Sequence, residues 1–235
     1  MELVHLILLQ VAAHLLSDFV FQPHRNAIEK NENGFRSKFL KWHILFTFIF
    51  SWILSFQLLF VVASFAIALL HWIVDGVKKW MNNHPELGRY AFFIDQLLHF
   101  AVIVFVVWAY QKVFGLTTIF EIKFNTKYLM MAVGYLLCLK PTNIIIKETL
   151  IAFDIKMVVN NDLPNAGKLI GIVERVLVFT FVLLSQYSAV GFLVTAKSIL
   201  RFKADDTLKT EYVLIGTLLS FGIAIAAGVI VNKLR

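Results

Sequence analysis

The sequence predicts an all-α fold: a polytopic transmembrane helical bundle of about seven spans with one re-entrant or interfacial helix. Three observations carry that expectation. Mean hydropathy is +0.77, 59% of residues are apolar against 16% charged, and apolar runs recur along the chain. Soluble domains carry roughly 25% charged residues, so water is not the natural solvent of this chain. At about 20 apolar residues per span, 235 residues leave no room for a separate globular domain. One membrane domain over 1–235 is expected, with a four-helix half at 1–114 and the remaining spans in 125–235. Lys and Arg outnumber Asp and Glu by 22 to 15, which in such a chain records cytoplasmic loops and lipid headgroups. Membrane lipid is therefore the expected partner, and a nucleic-acid role is set aside. The single cysteine, Cys138, excludes an internal disulfide and a cysteine metal knuckle.

The first apolar run, about Leu3 to Phe21, opens on Glu2 rather than on basic residues and shows no small-residue cleavage site, so it reads as a retained span. Gln22-Pro23 closes it, because proline cannot extend the helical hydrogen-bond ladder. The following RNAIEKNENGFRSK reads as a polar loop with turn chemistry at Asn-Gly. Leu40 to Lys78 accommodates a helical hairpin of two spans with a tight turn near Ser55 to Gln57. A fourth span is expected from about Tyr90 to Tyr110. A fifth, Tyr128 to Ile146, is interrupted at Lys140-Pro141, where a kink or break is expected, and a polar loop with Asp154, Asp162 and Pro164 follows. Leu169 to Gln186 forms a sixth span. It runs into AVGFLVTAKSILRFK, too short and too basic to cross again and therefore interfacial or re-entrant. Tyr212 to Val231 is the last, ending in Lys233 and Arg235. The basic-residue bias favours an outside N-terminus and an inside C-terminus, with Lys197, Arg201, Lys203 and Lys209 voting the other way.

A charge in hydrocarbon costs about 2.5 to 3.5 kcal/mol at mid-helix, so polar residues inside spans mark positions with a reason to be there. Here they form pairs four residues apart: His14 with Asp18, His71 with Asp75, and Asp95 with His99. Each pair shares a helix face. Span one ends near its pair, His43 opens span two, span three ends at its pair and span four begins with its own. Consecutive spans alternate in direction, so all seven residues fall on one side of the membrane, cytoplasmic by the basic-residue bias.

Three accounts fit such a cluster. Imidazole nitrogens and carboxylate oxygens suit a divalent Zn, Mn or Fe ion, and seven candidates suffice for two ions or for one ion with an acid/base group. The same residues suit a proton or cation relay, or a purely structural hydrogen-bonded network. The metal site is the favoured account, with His14, Asp18, His43, His71, Asp75, Asp95 and His99 as the metal-binding set and Asp18 or Asp75 as catalytic proton acceptor. HExxH, GxSxG and the paired Glu-x-x-His signature of di-iron bundles are absent. Glu174-Arg175 reads as a self-neutralising pair or an additional wall of the site, and Lys78 and Lys79 as positive-inside anchors. SKFLKWH and KSILRFK read as interfacial segments with Trp42 and Phe202 at headgroup level.

AHLLSDFVFQP, Trp42-His43, LLHWIVDGVK, IDQLLH, GKLIGIVERVL, TAKSILRF and EYVLIGTLLS, in that order, resemble a bacterial integral-membrane family, the domain of unknown function 3307. The resemblance covers nearly the whole chain and implies a multi-pass protein of the bacterial cytoplasmic (inner) membrane. The His/Asp pattern is also loosely similar to that of bacterial inner-membrane metal-dependent hydrolases. That likeness implies a metal-binding role for the seven residues, and a buried site at headgroup depth suits metal-dependent hydrolysis of a lipid-linked or amphipathic substrate. A proton- or metal-ion-coupled transporter and a non-catalytic membrane scaffold are the alternatives.

Overall fold

A computed structural model describes residues 1–119, 125–155, 166–201 and 207–233. Among these residues every regular element is helical, and they divide by contact into two compact units, Met1–Leu129 and Met130–Arg235.

In the first unit, α1 (Leu3–Leu15) passes into a π-helical turn, Leu16–Val20, closed by the Phe21 N–H on the Leu16 carbonyl at 2.9 Å. Pro23 then opens a helix where a loop was expected: RNAIEKNEN lies within α2 (His24–Asn33). The correction has a local cause. Proline ahead of the first turn and glycine after the last are the usual borders of a helix, and Gly34 ends α2 at φ 55°. A single 3₁₀ turn, Gly34–Arg36, leads to Ser37, whose hydroxyl accepts the Leu40 N–H and caps α3 (Lys38–Ser55). The expected hairpin turn follows, with Phe56 left-handed at φ 54°. Next come α4 (Val61–Asn82) and α5 (Ala91–Phe114). α3 packs on α1 and α4, and α5 on α1 and α4, while α2 lies against α3 and α4.

The second unit holds the broken segment, α6 (Thr126–Cys138) and α7 (Lys140–Ala152), bent by 54° where Pro141 opens α7. α8 (Ala166–Leu183), α9 (Tyr187–Arg201) and α10 (Thr207–Lys233) complete it. Its core is apolar, built on Cys138, Val178, Phe179, Val182, Phe221 and Ala224.

Four helical stretches are long and apolar enough to cross a membrane: Leu3–Val20, Leu58–Asn82, Gly88–Phe114 and Glu211–Lys233, or five with the bent pair α6–α7. The chain is therefore a helical membrane protein, but seven spans are not found. The shortfall lies in two 18-residue helices that dilute their apolar runs with charge: Lys38 and Lys41 in α3, Lys168, Glu174 and Arg175 in α8. Asp162, Pro164, Phe202, Lys203 and Arg235 lie outside the described residues.

Polarity in the first unit is inverted relative to a soluble protein. Phe65, Trp72, Leu97 and Phe105 face outward, while His14, Asp18, His43, His71, Asp75, Asp95 and His99 are buried. Outward apolar and inward polar surfaces fit a bundle solvated by lipid, where ionisable groups turn to the interior.

Candidate metal centre

Four helices bring the seven expected residues to one end of the first unit. The last turn of α1 delivers His14, the middle of α4 the His71/Asp75 pair, and the π-helical turn Asp18. The first turns of α3 and α5 deliver His43 and the Asp95/His99 pair. The π-helical turn buries Ser17, Asp18 and Phe19 in succession, and such turns often sit at functional positions. Ser17 Oγ donates to Asp18 Oδ1 at 3.0 Å and fixes the carboxylate.

The centre is a set of four donor atoms. His43 Nε2 and His71 Nε2 are 3.0 Å apart. Asp18 Oδ1 lies 3.5 Å from His43 Nε2 and 3.4 Å from His71 Nε2, and Asp75 Oδ2 lies 3.3 Å from each. A tetrahedron around an ion with bonds of roughly 2.0 to 2.1 Å has edges of about 3.3 to 3.4 Å, close to the four nitrogen–oxygen separations here. Without a cation, a single proton must lie between two ring nitrogens that otherwise present lone pairs to each other. These residues form part of three overlapping groups whose ligand atoms lie within 4.8 Å of one another: His14/Asp18/His71, His43/His71/Asp75 and Asp75/Asp95/His99.

Hydrogen bonds around this set fix which nitrogens are free. Gln96 Nε2 donates to Asp95 Oδ2 at 3.1 Å, which turns Gln96 Oε1 toward His14 Nε2, 3.2 Å away. An amide oxygen only accepts, so His14 carries its proton on Nε2. Its Nδ1 then offers a lone pair, buried and unpartnered, 3.4 Å from Asp18 Oδ1. His99 Nδ1 faces the Asp95 carbonyl at 2.8 Å and donates to it, leaving Nε2 as a second buried, unpartnered acceptor. Fixing one ring nitrogen so that the other is available readies His14 and His99 to ligate or to accept a proton, whereas His43 Nδ1 is buried without a partner. A small cavity lined by His14, His71, His99, Gln10, Thr47 and Ser51 adjoins the cluster, with about 10 Å³ of room for the centre of a water molecule.

Two lysines complete the centre, and the sequence reading missed both. Lys30 of α2 donates to both oxygens of Asp75 at 2.8 Å, and it is 2% exposed. Its segment is too polar to show hydrophobic periodicity, and the Pro23 and Gly34 borders are the signal that it is helical. Lys78 is not a membrane-surface anchor: it donates to Asp95 Oδ2 at 2.7 Å. Its signal was spacing, since His71, Asp75 and Lys78 recur on one helix face. With neutral imidazoles, three carboxylates against two ammoniums leave one net negative charge in the interior. One divalent cation turns that into one positive charge, whereas a second would add two more in a low-dielectric site, so the charge balance favours one ion.

Glu174 and Arg175 do not neutralise each other. Glu174 pairs with Lys197. Arg175, 1% exposed, donates to the carbonyls of Cys138 and Leu139, to Asn143 Oδ1 and to Ser220 Oγ at 2.9, 3.3, 2.7 and 3.0 Å. It satisfies the backbone that the α6–α7 break sets free.

Fold and site together define a helical membrane protein with a buried His/Asp cluster in its first half. Residues 6–131 match the family described as "Protein of unknown function (DUF3307)", and the chain belongs to that family. No curated protein and no solved structure matches the chain, and the looser likeness to metal-dependent hydrolases is not shown.

Proposed function

We propose that this protein binds one divalent transition-metal ion inside the membrane, held by His43, His71, Asp18 and Asp75. The observation that carries this reading is that His43 Nε2 and His71 Nε2 lie 3.0 Å apart and each lies 3.3 to 3.5 Å from one oxygen of Asp18 and one of Asp75. Nitrogen and oxygen donors without thiolate suit Zn, Mn or Fe. An ion held there supplies Lewis acidity. Lys30 and Ser17 hold the two carboxylates in place. Lys78 and Gln96 hold Asp95, which in turn orients His99. The test is metal analysis of the purified protein. About one equivalent per chain is expected, lost in His43→Ala/His71→Ala with helical content unchanged; a wild type with no more metal than that variant contradicts the reading.

One observation favours a second reading, hydrolysis of an amphipathic or lipid-linked substrate. The cavity beside the four donors has room for a water molecule, and His14 Nδ1 and His99 Nε2 are the unpartnered acceptors nearby. In that reading Asp18 and Asp75 are ligands, and the proton-accepting role passes to His14 or His99. Metal-dependent cleavage of a chromogenic ester in detergent, lost in His99→Ala while metal content is retained, supports it. Equal cleavage by wild type and variant removes it.

A further inference from the structure

From His43 to its C-terminal end the buried face of α3 is polar. His43, Thr47, Ser51 and Ser55 recur every four residues and are 0%, 3%, 2% and 0% exposed. At 1.5 Å per residue this stripe extends about 18 Å from the His/Asp cluster toward the opposite end of the bundle. It has partners on other helices. Ser51 Oγ lies 2.7 Å from Gln10 Oε1 and 3.0 Å from Ser64 Oγ, and Gln10 Nε2 donates to the Ser51 carbonyl at 3.0 Å. The water-sized cavity joins the two systems, since Thr47, Ser51 and Gln10 share its wall with His14, His71 and His99. Beyond Ser55, Gln57 accepts from Tyr110 at 3.0 Å, and its buried Nε2 has no partner. A buried amide donor left unsatisfied is rare in a folded protein and is most simply met by water.

The two ends of the bundle differ in what they offer a cation. At the cluster end, the ammoniums of Lys30 and Lys78 lie directly on Asp75 and Asp95, with exposed Arg36, Lys38 and Lys41 nearby in sequence on the same side. An ion arriving there meets Asp75 and Asp95 oxygens already held by ammoniums. The stripe presents hydroxyl and amide oxygens and no cation.

We propose that the stripe of Thr47, Ser51 and Ser55, with Gln10 and Ser64, is the route by which a divalent transition-metal ion reaches the buried centre, from the end of the bundle opposite Lys30 and Lys78. This rests on the metal reading above. Ile67 and Ile103 belong both to the cavity wall and to the apolar cluster with Leu6, Phe60 and Val107, so the route is closed by side chains that move to admit the ion.

The test loads metal-free protein in vesicles sorted by orientation, with Zn²⁺ added outside and bound metal followed in time. Fast loading is expected only where the Ser55–Gln57 end faces the added zinc. Ser51→Leu, which fills the cavity wall, slows loading at least tenfold while the final stoichiometry stays at wild type, and the milder Thr47→Val slows it less. Fast loading of wild-type protein from the lysine end, or an unchanged rate in Ser51→Leu, overturns the route. The two readings fail differently. Wild-type protein that binds no zinc from either side overturns the centre and the route with it, whereas full stoichiometry reached from the lysine end overturns the route alone.

Discussion

Each unit of this protein buries cations, and their company differs. In the first, Lys30 and Lys78 lie against carboxylates that also face a cluster of four imidazoles. In the second, Arg175 has neutral acceptors, four of them, and its neighbour Glu174 is engaged with Lys197. Arg175 satisfies backbone at a helix break, a structural task that one planar fork of donors performs well. Buried charge in a membrane bundle is therefore no sign of chemistry by itself. What separates the units is convergence: in the first, imidazoles and carboxylates from several helices meet in one cluster, where His14 Nδ1, His99 Nε2 and Asp95 Oδ1 have no hydrogen-bond partner.

The sharpest way to break this contrast is to remove one partner in each unit. Asp75→Ala leaves Lys30 buried without its counter-ion and is expected to cost about 3 to 5 kcal/mol, read as a fall in the unfolding midpoint, together with all bound metal. Arg175→Met is expected to cost about 1 to 3 kcal/mol for each backbone carbonyl it leaves unsatisfied, with metal content unchanged. Loss of metal in Arg175→Met would erase the distinction. The next effect is linkage. Zinc at about 100 times its Kd is expected to stabilise the wild type by about 2.7 kcal/mol and to stabilise Lys30→Met by more, since the ion takes over a carboxylate that has lost its ammonium. Thermal unfolding with and without zinc reads both.

Smaller effects probe the α2 segment that carries Lys30. A Cβ on Gly76 would come within 2.1 Å of the Phe35 ring, so Gly76→Ala is expected to cost about 1 to 3 kcal/mol and to loosen α2, visible as faster amide exchange there. The smallest concerns Glu29, outside the spans. Partial burial pushes its carboxyl up, but hydrogen bonds from Ser37, the Lys38 N–H and Asn33 outweigh it and hold the group below its usual 4.5. A lowered carboxyl contributes stability above the unfolded value and loses it as pH falls through the folded one. Glu29→Gln is therefore expected to flatten the decline in unfolding midpoint below pH 4.5; an unchanged acid limb contradicts this.

Much of the first unit was legible in the chain. Spacing of four puts each His and Asp on one face, and alternation of consecutive spans places the pairs at one end, so the meeting of all seven residues followed without any knowledge of packing. The break at Lys140-Pro141 was legible because proline acts locally. Lys30 was not, since α2 is polar and its helical signal lies in its borders rather than in hydrophobic periodicity. The partners of Arg175 were not legible either, because backbone carbonyls look alike in every sequence. The count of seven spans is not confirmed, for a related reason. Helices packed inside a polar-centred unit tolerate charge that a hydropathy profile cannot assign to interior or edge, and α3 is the example: its lysines lie near one end, while its buried face is the polar stripe.

X-ray absorption at the zinc edge of the loaded protein tests the central claim most directly. Two imidazole nitrogens and two carboxylate oxygens at about 2.0 to 2.1 Å are expected, with the imidazole scattering lost in His43→Ala/His71→Ala. A spectrum of six oxygens without imidazole, unchanged by that variant, would contradict it.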